Sequence, residues 1–200
     1  MTTLSYDKIL SATVDGEKIK YGILFGNEKI VFIKVGADGN IRGYQDKYLK
    51  MAHRIRDRIG ATVICASNGD ADPRDQLRAD KFLIKKVIAE HGFENYEMYF
   101  VGTSDGGEHS LKLAQYFPEA VKFLGINSSW SNRDAFLERI QSMPIVKKIF
   151  VYGANDVDFD DIVPKLKALD CDNLETVVLD GVDHEFTGRI DDFIALIDLL

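Results

Sequence analysis

Cysteine is nearly absent: the 200 residues hold two, Cys65 and Cys171, with no paired framework and no metal-ligand spacing. A disulfide-stapled fold and a thiolate metal site are thereby excluded, and Cys65, inside an apolar run, reads as a small core residue. A basic stripe is also missing. Lys and Arg number 25 against 32 Asp and Glu, a formal net charge of −7, so no nucleic-acid partner is expected. No apolar run approaches the roughly 20 residues that span a bilayer, and the first residues lack the charged, apolar and small-residue series of a secretory leader. The expectation is a cytoplasmic protein with no membrane partner. No repeat, low-complexity stretch or linker divides the chain, so residues 1–200 read as one domain, and an apolar fraction of 46% is enough for a full core.

What the sequence does contain is alternation. Residues 8–14 and 18–24 read as antiparallel strands around Asp15-Gly16, a two-residue hairpin signal. Strands are then expected at 30–35, 61–66, 97–101, 121–126, 147–152 and 174–179. Helices are expected between and after them, at 44–59, 74–91, 107–117, 133–141, 161–169 and 189–200. This pattern predicts an α/β protein with a mostly parallel sheet of about eight strands and helices on both faces. The last helix, with Phe193, Ile194, Leu196 and Ile197, is expected to pack on the sheet rather than form an oligomer seam. The sequence leaves the oligomeric state open.

The most informative segment is Gly102-Thr103-Ser104-Asp105-Gly106, where the aromatic strand 97–101 turns into a helix. In a G-x-S-x-G turn the serine occupies a tight, strained corner, and side chains at the flanking positions would collide with neighbouring backbone. The helix that follows aims N–H groups and its positive dipole end at the reacting oxygen, which suits the oxyanion of acyl transfer. A base and an acid follow in order. Gly153-Ala154-Asn155-Asp156 comes just past one strand, and Gly181-Val182-Asp183-His184 just past the next. The C-terminal ends of parallel strands share one sheet edge, so Ser104, Asp156 and His184 can converge there.

These segments resemble the α/β-hydrolase fold superfamily, and the resemblance covers nearly the whole chain. Residues 102–106 are similar to its nucleophile turn, 153–156 to its acid loop and 181–184 to its histidine loop; the order Ser, Asp, His is also the same. Residues 36–40 after strand 30–35 resemble its oxyanion loop, with Val35 where histidine often stands. The resemblance implies a serine hydrolase that cleaves a small-molecule ester or thioester through an acyl-enzyme. Ser104 would be the nucleophile, His184 the base and then the acid, and Asp156 its orienting carboxylate. The N–H groups of Ala37 and Asp105 would form the oxyanion hole. No metal or organic cofactor is called for, and Gly36 and Trp130 are candidates to touch substrate. Between Ser128 and Lys147 there is room for one short helix and no lid, which suits a small or polar acyl group, or an exposed group on a larger molecule, and not long lipid chains. Asn68, Asp70, Tyr152 and Phe186 fall on the same edge and could shape specificity.

Two other classes fit parts of the sequence. The turn could survive on a non-catalytic scaffold that binds a ligand or partner. Residues 102–107 could also cradle a phosphate at a helix start, but the phosphate-loop lysine and the dinucleotide glycine spacing are missing. Trp130 reads equally well as core. His53, His91 and His109 read as solvated or structural. Asp160 or Asp161 reads as a helix cap and Asp158 as a fallback acid, while the glycine and glutamate of a calcium loop are absent. Asp105, beside the nucleophile, is expected to disfavour anionic substrates locally.

Overall fold

Asp15 and Gly16 take the positive φ values, 50° and 83°, that a two-residue hairpin requires, and they join β1 (Lys8–Val14) to β2 (Glu17–Leu24). A computed structural model describes residues 4–145 and 147–200; residues 1–3 of the expected domain lie outside it. Next come β3 (Asn27–Lys34), α1 (Lys47–Ile59), β4 (Ala61–Ala66), α2 (Pro73–His91), β5 (Glu97–Thr103) and α3 (Asp105–Ala114). The chain continues through β6 (Ala120–Ile126), α4 (Arg133–Ser142), β7 (Lys147–Gly153), α5 (Phe159–Ala168), β8 (Leu174–Leu179) and α6 (Ile190–Ala195).

The eight strands form one sheet in the order β1-β2-β4-β3-β5-β6-β7-β8. β1 and β2 run antiparallel, β2 meets β4 antiparallel, and every later pairing is parallel. Central strands are apolar on both faces because helices cover both; all six residues of β4 are buried. One face carries α2 to α5 over a core that includes Phe32, Phe100, Phe123 and Phe150, and the other carries α1 and α6 over Val31, Val63, Val101 and Ile149. Ile190, Phe193 and Ile194 of α6 are buried in this second layer, as expected for a helix packed on the sheet.

Helix ends follow local chemistry. Asp72 accepts from the Arg74 N–H at the start of α2, Pro73 fills its first turn, and Gly92 closes it in the left-handed region at φ 65°. Among the helices whose observed bounds differ from the expected ones, two starts have a local cause. α1 starts at Lys47, not 44, because Gln45 and Asp46 hold left-handed backbone (φ 52° and 60°) in a short 3-10 turn. α5 starts at Phe159, so Asp158 takes the cap position by accepting from the N–H groups of Asp161 and Ile162 through its carbonyl. Asp161 instead pairs with Lys165 and Arg133. No helix among the described residues is long and apolar enough to cross a membrane.

Under the β3 end lies a buried polar network. The Lys34 ammonium meets Asp80 Oδ2 at 3.1 Å, and neither side chain is exposed. Lys34 also donates to Ser67 O and Gln76 Oε1, while Tyr21 and His109 bond the same Asp80 carboxylate at 2.8 and 2.7 Å. Burial raises the Asp80 carboxyl, but the Lys34 charge and the bonds from His109 and Tyr21 outweigh it and hold the group below the usual range.

Candidate active site

Ser104 stands at the tip of the β5–α3 turn with φ 51° and ψ −130°, a strained conformation for a residue with a side chain. The turn is locked on both sides. Ser104 N–H donates to Ile126 O at 3.0 Å, and Gly107 N–H donates to Ser104 O at 2.8 Å. A Cβ on Gly102 would lie 2.3 Å from Gly106 O, and one on Gly106 would lie 2.4 Å from the carbonyl oxygens of Lys34 and Val35. Both glycines are therefore dictated by close backbone approach, as the sequence pattern predicts.

The strand ends bring the three expected residues together. His184 Nε2 lies 3.1 Å from Ser104 Oγ, and His184 Nδ1 lies 2.6 Å from Asp156 Oδ2. A carboxylate only accepts, so Nδ1 carries the proton and Nε2 offers its lone pair to the Ser104 hydroxyl. The Asp156 side chain is fully buried, and its Oδ1 accepts the Asp158 N–H at 2.8 Å. Asp158 itself is turned to Ser129 Oγ at 3.2 Å. The fallback acid thus serves the loop, and Asp156 is the carboxylate that meets the imidazole. The bond to Asp156, opposed in part by burial and helped by the charges of Asp156, Glu185 and Asp158, raises the His184 pKa above its ordinary value.

The loop after β3 closes against Ser104. A Cβ on Gly36 would be 3.0 Å from Ser104 Cβ, a tight approach that a side chain here could make only by displacing Ser104 slightly. Neither the Ala37 N–H nor the Asp105 N–H has a hydrogen-bond partner among the described residues. For Asp105 this follows from its place in the first turn of α3, where N–H groups have no acceptor one turn back.

Asn127 escapes the sequence reading, although it follows β6 directly. Its buried amide donates to Asp183 O and His184 O at 3.1 and 3.0 Å, and its Oδ1 accepts the Gly153 N–H at 2.9 Å. One side chain thus ties the acid loop to the histidine loop, and its φ of 42° shows backbone strained to put it there. Tyr48, equally unmarked in sequence, shares a 2.8 Å hydrogen bond with Thr103 just before the turn. Burial pushes its hydroxyl pKa up to about 12, so it stays protonated.

Two clefts flank the turn. The first, about 260 Å³, is lined by Ser104, His184, Gly36, Ala37, Lys47 and Tyr48 among others. The second, about 660 Å³, shares Ala37 and adds Asp105, Leu77, His109 and Trp130. Trp130 therefore lies apart from the cleft that holds Ser104. Its ring packs on Phe136 at 4.4 Å and edge-on to Phe150, 8% exposed, so its core role is the dominant one. Of the other edge residues, Asn68 and Asp70 border the second cleft, while Tyr152 and Phe186 are buried. His109 is in the Asp80 network and at the second cleft, not free in solvent.

Strand order, helix placement and the strand-end turn define the α/β-hydrolase fold. Solved structures of that fold superpose over nearly the full chain. An α/β serine hydrolase homologue from Coxiella burnetii matches with a TM-score of 0.72 at 17% identity, covering 98% of each chain. Est1E from Butyrivibrio proteoclasticus matches with a TM-score of 0.71 at 14% identity over 96% of each chain. An α/β serine hydrolase without a lid, from Xanthomonas campestris, gives 0.68 at 18% identity over 97% of this chain and 93% of that one. In this chain the described residues of the β6–β7 connection hold one helix, the ten-residue α4. No protein-family model and no curated protein matches the sequence.

Proposed function

We propose that this protein is a serine hydrolase that cleaves a carboxylic ester or thioester of a small or exposed acyl group. The observation that carries the reading is the unbroken chain from Ser104 Oγ through His184 to buried Asp156, at 3.1 and 2.6 Å. Solved neighbours described as serine hydrolases support the same class. Ser104 Oγ attacks the acyl carbon as His184 Nε2 takes its proton, and the N–H groups of Ala37 and Asp105 hold the oxyanion. His184 then protonates the departing alcohol or thiol, leaving an acyl-serine. Water, deprotonated by His184, attacks that ester and releases the acid and free Ser104.

The test is labelling by a fluorophosphonate with peptide mapping, alongside 4-nitrophenyl acetate, butyrate and octanoate. Modification confined to Ser104, with turnover that falls as the acyl chain lengthens, is the expected result. An unlabelled protein that turns over none of the three would leave a ligand-binding protein on a hydrolase scaffold.

Two further outcomes follow from the same geometry. Catalysis needs neutral His184, whose pKa is raised above 6.5. The acid limb of kcat/KM should therefore fall at a pH above 6.5, and Asp156→Asn should move it downward by removing the largest cause of the shift. Because the folded-state value is raised, the stability contributed by His184 runs the other way: full below the unfolded value and lost as pH rises through the folded one. A pH–rate profile of both proteins checks the sign. Asn127→Ala should lower kcat by about tenfold to a hundredfold with a smaller change in KM, because the Asn127 amide ties the His184 loop to the Asp156 loop, although it also borders the Ser104 cleft. Equal rates in the two proteins would remove Asn127 from the positioning scheme.

A further inference from the structure

Lys47 places a cation in the cleft of the nucleophile, and nothing in the acyl-transfer chemistry above uses it. Its side chain is 8% exposed, yet its ammonium makes one hydrogen bond among the described residues, a long 3.4 Å contact to Glu185. The rings of Phe193 and Tyr48 lie 5.0 and 5.4 Å away and stabilise the charge from the side without offering it a lone pair. A buried ammonium has three donors to satisfy, so this one is under-used. Glu185 is 73% exposed at its side chain and can turn to water at little cost. Among the described residues, Lys47 and Glu185 are, with His184, the only ionisable groups other than tyrosine that line this cleft, so it holds the Lys47 cation and one displaceable anion. The backbone that delivers Lys47 is strained: Gln45 and Asp46, both with side chains, have φ of 52° and 60°.

We infer that the Lys47 cleft binds a carboxylate carried by the substrate, close to the scissile bond, with Glu185 as its stand-in when the cleft is empty. The inference rests on the hydrolase reading for the word substrate, but not for the anion site itself. A single ammonium matches one negative charge, and about 260 Å³ admits a compact group, which points to a monocarboxylate and away from a dianionic phosphate. Asp105 is among the residues that line the second cleft and not among those that line this one. The chemical class is thus a short ester or thioester whose acyl or alcohol part ends in a carboxylate.

Salt-bridge partners with only a structural role would respond alike to removal of either one, whereas an anion site with a competing internal carboxylate responds in opposite directions. The kinetic arm compares mono(4-nitrophenyl) succinate with 4-nitrophenyl butyrate, and 3-carboxyphenyl acetate with phenyl acetate, to place the charge on the acyl or the alcohol side. In at least one pair the ratio of kcat/KM, charged over neutral, should fall by about tenfold or more in Lys47→Met, recover in Lys47→Arg and rise a few-fold in Glu185→Gln. The binding arm titrates monomethyl succinate into the wild type, Lys47→Met and Glu185→Gln by calorimetry. Affinity should be lost in the first variant and strengthened in the second. Should Lys47→Met not fold, Glu185→Gln on an exposed residue and Lys47→Arg still carry the signs. Ratios and affinities that are the same in all variants, or that move in one direction for Lys47 and Glu185, overturn the anion site. An absence of turnover and of Ser104 labelling, with Lys47-dependent carboxylate binding intact, would instead overturn the hydrolase reading alone.

Discussion

Ser104→Ala should lower kcat on any ester the protein cleaves by about ten-thousandfold or more while leaving its unfolding midpoint within a few degrees of the wild type. In the proposed mechanism the hydroxyl supplies the bond-forming atom, so nothing replaces it, whereas the residue's backbone ties, the N–H to Ile126 O and the carbonyl to Gly107 N–H, survive the change. Asp156→Asn should act by another route and cost roughly as much. An amide at that position can present its NH₂ to Nδ1 and stabilise the tautomer with its proton on Nε2, which turns the lone pair away from the Ser104 hydroxyl. Steady-state rates of the wild type and both variants on one short 4-nitrophenyl ester suffice to check this. A Ser104→Ala protein that keeps more than about one hundredth of the activity would show that another nucleophile is at work.

The second large effect is on stability. Asp80→Ala should destabilise the fold by about 3–5 kcal/mol, because it strands the Lys34 ammonium in the core together with the Tyr21 hydroxyl and the His109 imidazole. For a chain of this size that corresponds to a drop in Tm of roughly 6–20 °C. Replacing both members of the ion pair, as Lys34→Met with Asp80→Leu, should cost clearly less than Asp80→Ala alone, since an apolar pair removes the stranded charge. The pH dependence follows from the same groups. Asp80 is held below the usual carboxylate range, and burial with the nearby Lys34 charge lowers His109 despite its bond to Asp80. Each depressed group contributes stability that is complete above its unfolded value and is lost as pH falls toward the folded one. For His109 the loss begins near pH 6.5 and for Asp80 near pH 4. Urea midpoints across pH 3–8 would show this slope in the wild type and its weakening in the double variant; a single Asp80→Ala cost below about 1 kcal/mol would mean that water reaches Lys34.

Why some of this is legible in sequence and some is not can be stated residue by residue. The α/β alternation is legible because strands buried on both faces must be continuously apolar, as 61–66 are, and because helices buried on one face keep their period. Ser104, Asp156 and His184 are legible because each sits at a strand end marked by glycine, and parallel strands put those ends together. Lys47, Tyr48 and Asn127 carry no such mark. A lysine at a helix start ordinarily faces water, and only the left-handed backbone at Gln45 and Asp46, which neither residue type dictates, turns this one into the cleft. Trp130 could not be divided between core and pocket because sequence says which edge a loop occupies but not which way a ring points. His109 and Asp80 are 29 positions apart on different helices, so their meeting depends on how α2 and α3 pack and not on any spacing.

The order in which the strands contribute has a bearing on how the molecule comes into being. Ser104 arrives with β5, Asp156 with β7 and His184 only after β8, 80 positions beyond the serine. A collapsed chain with β1 to β6 paired would therefore look largely native by secondary structure and still be chemically silent. Under the proposed mechanism, ester turnover measured during refolding would time the docking of β8, one edge of the sheet, separately from the burial of Phe32, Phe100 and Phe123.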